Sequence, residues 1–435
     1  MATGFLKTSG PDIVDETGNK VLLRGTSLGG WMLMENFMDG FPGKEVQIRH
    51  ALRKVLGQEK SDFFFDKFLE YFFTEPDAKF LASLGVNLLR LPFNYRHLED
   101  DMNPMVINEE GFRHLDRVID LCARYRSNPW VAGYDPLNEP ADSEGYRIAA
   151  FYDRLVPTIR EVDPHHILFL EGNGFGTDFT AFDSLYENTA WSIHDYCFYA
   201  FPHGGIGTYQ GRKEQDEFIR QQYQRRIAFM RKHNVPIWIG EFGMMYERED
   251  DNPNWEAVNQ ERYNMLSKQM AMYDSEGIAW CIWSYKDINI MGMIHTSPSA
   301  AWYRLLHPMI AKKKALDADC AYGDAHLEDV FGPLHRWFGE NVPEKYRNKY
   351  PPQISMRQQV TRATRDFVLS DYMVPEFADY FRDKTLDELD ELAASWKFEN
   401  CVQRYKLNEV MKFYAPLKPG DPKLNGDVIP KLQTA

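Results

Sequence analysis

The stretch Gly133-Tyr134-Asp135-Pro136-Leu137-Asn138-Glu139-Pro140 leads out of an apolar run into a turn that carries a glutamate, and Trp238-Ile239-Gly240-Glu241-Phe242-Gly243 does the same further along. A carboxylate just past the end of a short apolar strand is where parallel α/β sheets build their sites. Working outward from these two stretches, Val-, Ile- and Leu-rich runs recur, each followed by a segment with helical spacing. That alternation belongs to parallel strands joined by helices. Strands are expected at Val21 to Gly25, Val86 to Leu91, Trp130 to Tyr134, Ile167 to Leu170, Ser192 to Tyr196, Val235 to Gly240 and Ile278 to Trp283, seven in all. A closed TIM-type (β/α)8 barrel wants eight, so the barrel is expected to be incomplete.

The helices read from spacing and caps. Ser61 is placed to cap a helix with Phe64, Phe65, Phe68 and Phe72 on one face, and Thr74 opens another with Pro76 where a first turn tolerates it and Gly85 at its end. Phe112, Leu115, Val118, Ile119 and Cys122 mark a helix by their steps of three and four. Beyond about Leu316 the alternation stops. Residues 1–316 are therefore expected to form the barrel, and 317–435 a helical extension packed on it. In that extension Thr385 with Glu388 opens an amphipathic helix bearing Leu386, Leu389, Leu392 and Trp396. Pro351 and Pro352 mark a connector, and the chain from about Pro419 reads as loose.

Composition fits a folded chain: 435 residues, 44% hydrophobic and 26% charged, with 50 Lys+Arg against 64 Asp+Glu and a net charge of −14. An acidic balance repels a polyphosphate backbone, which argues against a nucleic-acid partner. Cys122, Cys197, Cys281, Cys320 and Cys401 are odd in number and widely spaced, as expected of reduced thiols and not of a zinc or disulfide framework. Met1 to Gly10 lacks the pattern of a signal peptide, and no apolar run reaches the length of a membrane span, so a cytoplasmic location with no transmembrane segment is the expectation. Nothing in the sequence bears on oligomeric state.

Two glutamates at separate strand ends suit glycoside hydrolysis, which needs one protonated carboxyl to assist the leaving group and one ionised carboxylate to attack or to activate water. Arg90 ends a strand and offers a fixed fork of donors for a carboxylate, a geometry that also suits a structural ion pair. His194 and Tyr196 lie two apart on one strand and so face the same way, the tyrosine being suited to hydrogen-bond an ionised Glu241. Trp283 ends the last strand with a flat face for a pyranose; Trp31, Trp191, Tyr199 and Tyr285 are weaker candidates for the same task. Gly172, Gly174 and Gly176 are misplaced for a dinucleotide loop, His165-His166 lack partners at zinc spacing, and Lys312 to Lys314 suit a solvated helix face. Neither a cofactor nor a metal is expected.

Together these residues resemble glycoside hydrolase family 5, the cellulase-type group of retaining enzymes. The likeness runs from about Val21 to Leu316 and rests on Asn138-Glu139-Pro140 and Gly240-Glu241-Phe242-Gly243. It implies a (β/α)8 barrel with Glu139 as acid/base, Glu241 as nucleophile, Asn138 against the sugar 2-hydroxyl, and Arg90, His194, Tyr196 and Trp283 around them. Leu23-Arg24-Gly25 through Gly29-Gly30-Trp31 is similar to the exo-glucanase-like and glycolipid-cleaving branches, which implies a β-glucoside, β-glucan or glycolipid substrate. One departure stands out. The family places a further βα unit between the Arg strand and the Asn-Glu strand, whereas Arg90 to Glu139 is only 49 residues (139 − 90) here. The junction near Tyr125-Arg126 reads as an internal deletion. Either the flanking strands pair directly in a strained seven-strand barrel, or a gap persists and the site floods with water; impaired activity is the expectation, with a carbohydrate-binding remnant as the alternative.

Overall fold

In the computed structural model, the structure describes residues 4–125, 131–201, 207–250, 252–316, 327–347, 349–350, 354–364 and 370–416. All seven expected strands form: β1 (Arg24–Ser27), β2 (Leu88–Arg90), β3 (Gly133–Tyr134), β4 (Ile167–Glu171), β5 (Thr189–His194), β6 (Ile237–Phe242) and β7 (Ala279–Ile282). They make one curled parallel sheet in the order β2-β1-β7-β6-β5-β4-β3. The order places β2 and β3 at the two edges, and among the described residues neither pairs with the other. Of the two outcomes open to the shortened chain, the gap persists.

Burial follows from this opening. Strands β1, β4, β5, β6 and β7 are buried along their whole length, as expected where the sheet is covered on both faces, whereas β2 is half-buried throughout and Tyr134 of β3 is exposed. Helix Arg113–Tyr125, which should share this span with a further strand and helix, packs on helix Glu75–Ser83. The floor of the barrel is closed by the hairpin of Lys7–Ser9 and Asp12–Val14, whose Leu6 and Ile13 meet Leu23, Phe169, Trp238 and Cys281.

Helix Gln58–Phe72 buries Phe64, Phe65, Phe68 and Phe72 as their spacing predicts, but it begins earlier than expected. Gly57, at φ +81, breaks the chain after helix Glu45–Leu56, so Ser61 lies buried inside the helix and is not its cap. Thr74 does cap: its backbone N–H reaches Asp77 Oδ2 at 2.8 Å, with Pro76 in the first turn.

The extension packs on the barrel through helices Ser370–Asp379, Leu386–Ala394 and Tyr405–Tyr414. Thr385 and Glu388 form the expected capping box, and Trp396 is fully buried between Phe68 and Phe72. Leu386, by contrast, is exposed. The extension is not wholly helical: Cys401–Gln403 pairs antiparallel with Ile294–Thr296, which runs parallel to Lys286–Asp287. Cys122, Cys197, Cys281 and Cys401 are free thiols. Cys320, the Arg126 side of the junction, Trp130, the Pro351-Pro352 connector and the tail from Pro419 lie outside the described residues.

Candidate active site

The C-terminal ends of the strands converge on one cleft. Strand β6 reaches it through a β-bulge: Ile193 pairs with Ile239, but His194 pairs with Glu241, so Gly240 is the extra residue. A Cβ at Gly240 would lie 2.5 Å from Ser192 Oγ, which is why glycine stands there. The bulge puts the Glu241 carboxylate on the same face as His194, a re-aiming that bulges commonly perform beside active sites.

Glu241 is held at both oxygens. Arg90 Nη1 donates to Oε1 at 2.5 Å, and the Tyr196 hydroxyl donates to Oε2 at 2.9 Å. Burial raises its pKa, and His194 and Arg90 pull against that rise. Glu139, half-buried at φ +47, has its Oε1 2.7 Å from His194 Nδ1. One carboxylate oxygen of Glu139, one of Glu241 and a ring nitrogen of His194 all lie within 4.8 Å of one another. His194 has a carboxylate against each nitrogen, Glu139 at Nδ1 and Glu171 3.0 Å from Nε2. Burial alone would lower its pKa, but the charges of Glu171 and Glu241 outweigh it and hold the ring as an imidazolium. With the ring an imidazolium, these atoms are arranged as a proton-handling pair.

Three acids here escape sequence reasoning. Glu171 ends β4 fully buried; burial pushes its pKa up, but His194 and Arg90 overcome that and keep it ionised. Asp135 accepts from Arg90 Nη2 at 2.9 Å and is pushed up to about 7 by burial and by Glu171. Glu35, on the loop after β1, is pushed up to about 8 by burial and then by Glu241 and Glu139. Five carboxyls crowd two cations, Arg90 and His194, and burial favours the protonated forms of Asp135 and Glu35. Their sequence signal was a single acid near a strand end, which also fits a helix cap.

Asn138 accepts from Arg90 Nη2 at 2.7 Å, and Trp283 lines the cleft with Glu35, Tyr196 and Glu241. Trp31 does not reach it. Its indole is fully buried and donates to the Leu69 carbonyl at 2.9 Å, making it a core residue that apolar patterning cannot tell from a sugar platform. Trp191 and Tyr285 are core as well, the first among Phe179, Phe182 and Phe229, the second bonded to Asp77. The cleft and the barrel interior form one continuous space of ≈ 2020 Å³ that reaches Leu23, Leu88, Phe169 and Trp238. A closed barrel fills that space with side chains.

Residues 121–289 match the family described as cellulase (glycosyl hydrolase family 5). A beta-xylosidase of Phanerodontia chrysosporium is 42% identical over 471 aligned positions, covering 95% of this chain and 98% of its own length. The chain belongs to glycoside hydrolase family 5. Its family chemistry is the hydrolysis of glycosidic bonds in carbohydrate substrates, generally with retention. A glucan 1,3-beta-glucosidase 2 of Wickerhamomyces anomalus is 26% identical over 133 residues, 28% of this chain and 30% of that protein. A solved endogalactoceramidase superposes on 65% of this chain and 75% of its own at 14% identity, with a TM-score of 0.46. The alignment with the beta-xylosidase runs to 471 positions, more than the 435 residues of this chain, so at least 36 (471 − 435) of them have no counterpart in this family 5 chain. The open edge between β2 and β3 is where a missing βα unit fits. No helix among the described residues is long and apolar enough to cross a membrane.

Proposed function

We propose that this chain carries the site of a retaining β-glycosidase with Glu139 as acid/base and Glu241 as nucleophile. The observation that carries the reading is the approach of the two carboxylates, oxygens within 4.8 Å. Double displacement uses carboxyls about 5 to 5.5 Å apart, whereas inversion needs roughly 6.5 to 9.5 Å to seat a water. Glu139 gives its proton to the leaving oxygen as the bond to the anomeric carbon breaks and a Glu241 oxygen bonds that carbon. Water then attacks the same carbon, loses a proton to Glu139, and releases Glu241. Arg90 fixes the amide of Asn138 by its oxygen, which leaves the NH2 to donate to a sugar hydroxyl.

For substrate, the 42% identity to a protein named beta-xylosidase favours a β-xyloside, and the likeness of Leu23 to Trp31 to the exo-glucanase-like and glycolipid-cleaving branches favours a β-glucoside or its glycolipid form. Turnover of nitrophenyl β-xyloside and β-glucoside, with proton NMR of the first-formed anomer, tests both points. A β-anomer supports the mechanism, and an α-anomer overturns it. The open edge between β2 and β3 favours a second reading, a carbohydrate-binding remnant. Calorimetry that finds glycoside binding without turnover selects it.

A further inference from the structure

We propose that Glu171 is a positioning residue for the acid/base: its buried carboxylate clamps the backbone of Glu139 with one oxygen and the ring of His194 with the other. The inference rests on the two-glutamate reading above and assigns a residue which that reading leaves without a task.

The geometry joins the three residues by two hydrogen bonds and one ion-pair contact. Glu171 Oε2 accepts the Glu139 N–H at 2.7 Å, the Glu139 side chain meets His194 Nδ1 at 2.7 Å, and His194 Nε2 returns to Glu171 Oε1 at 3.0 Å. Glu139 sits at φ +47, a left-handed conformation that a residue with a Cβ adopts only when its surroundings impose it. Glu171 supplies that imposition from below. Fully buried, it is stabilised by the ring and by Arg90 Nη2 at 3.7 Å.

The glycines after β4 complete the clamp. Gly174 and Gly176 take φ +56 and +69, and the turn they permit presents Asn173 to the loop that carries Glu139. Asn173 Nδ2 donates to the Asp142 carbonyl at 2.9 Å, Asp142 N–H donates to Asn173 Oδ1 at 2.8 Å, and Phe175 N–H donates to the Pro140 carbonyl at 3.2 Å. At Gly176 a Cβ would stand 3.1 Å from the His194 backbone nitrogen, so the turn also packs against β5. Gly172-Asn173-Gly174 thus does for this site what no dinucleotide loop would.

The charged groups facing His194 are Glu139, Glu171, Glu241 and Asp135, with Arg90 behind them and the Tyr196 ring beside it. Neutralising Glu171 removes one of the two charges that hold the ring doubly protonated. Loss of the ring's positive charge 2.7 Å from Glu139 and 3.5 Å from Glu241 favours the protonated form of both glutamates.

The test is Glu171→Gln and Glu171→Asp in the full chain. Glu171→Gln is expected to lower kcat about 10- to 100-fold and to move both limbs of the kcat/KM pH profile to higher pH. Glu171→Asp, which keeps the charge, brings the limbs back. A Glu171→Gln profile that superimposes on the parent after scaling overturns the proposal. Nitrogen NMR of His194 in the unmutated chain needs neither a folded variant nor turnover: both ring nitrogens protonated at pH 8 support the clamp, and a neutral ring at pH 7 overturns it. Failure of every glycoside to turn over sinks the two-glutamate reading while this NMR result still decides Glu171.

Discussion

Arg90 Nη1 donates to Glu241 Oε1 at 2.5 Å from the outermost strand of an open sheet. Its Nη2 reaches Asp135 and Asn138, which follow the strand at the opposite edge. One guanidinium therefore spans the seam that no backbone ladder closes among the described residues, and it keeps the catalytic end assembled while the wall below is open. A lysine offers a single point charge and cannot hold three oxygens in a fixed fork. Arg90→Lys is expected to lower kcat/KM by about 10² to 10³ and to raise the acidic limb, because Glu241, already pushed up by burial, loses the fixed guanidinium donor at Oε1 and faces a charge that is no longer held against it. Initial rates from pH 4 to 9 check both effects.

Glu241→Gln removes the attacking oxygen and is expected to abolish turnover on every leaving group. Glu139→Ala removes only the proton donor, so dinitrophenyl glycosides, which leave unassisted, keep part of their rate, and azide restores more by attacking the glycosyl-enzyme. Product analysis should find a β-glycosyl azide with Glu139→Ala. Azide rescue of the Glu241 variant instead would exchange the roles.

The strands were legible because alternation of buried runs and helical spacing survives the loss of one unit, and six of the eight site residues fell at strand ends where position alone points to chemistry. Asn138 needed the motif, since an exposed asparagine in a turn is ordinary. Trp31 misled because hydrophobic pattern reports burial, not which cavity a ring faces. Glu171 and Glu35 were invisible for the converse reason: their roles come from three-dimensional crowding with Arg90, His194 and Glu241, which sequence spacing does not encode. The three-residue strand Cys401–Gln403 is too short to show a period of two.

Glu35, held near 8 when folded against an unfolded value near 4.5, binds a proton in the native state that the unfolded chain has lost. Native protonation exceeds unfolded protonation between those values, so stability is fully present below about pH 4.5 and falls as pH rises towards 8. Glu35→Gln is expected to flatten that slope and raise Tm at pH 8 relative to the parent, leaving a smaller slope up to about pH 7 from Asp135. Thermal melts from pH 4 to 9 measure it; parallel curves for parent and variant would refute it.

Lys286 ties the extension to the barrel. Its fully buried ammonium donates to the Phe72 and Trp396 carbonyls at 2.6 and 2.7 Å and to Asp77 Oδ1 at 2.8 Å. Lys286→Ala strands the Asp77 carboxylate with the Tyr285 hydroxyl and its own cap contacts, at a cost of about 3 to 5 kcal/mol. Urea unfolding followed by Trp fluorescence should show a lower midpoint in one transition, because Trp396 and the Phe72 helix lose the same anchor.

The open wall makes the last prediction. The ≈ 2020 Å³ cavity exceeds the roughly 300 to 1,000 Å³ of ordinary ligand clefts, and its inner reach is lined by Leu23, Leu88, Phe169 and Trp238. Such a surface is expected to bind an apolar dye such as ANS. Inserting near Tyr125-Arg126 a βα unit of the kind that the family places there should pair both edges and fill the interior. Two inward apolar side chains at about 1.5 to 3 kcal/mol each contribute about 3 to 6 kcal/mol, a large part of a typical native stability of roughly 5 to 15 kcal/mol. The lengthened chain should therefore melt well above the parent, shed the dye, and turn over glycosides faster because water no longer enters through the seam and weakens the charges around Glu241. Equal dye binding and equal rates in the two chains would mean that the seam between β2 and β3 costs the site nothing, and Arg90 alone would then account for its assembly.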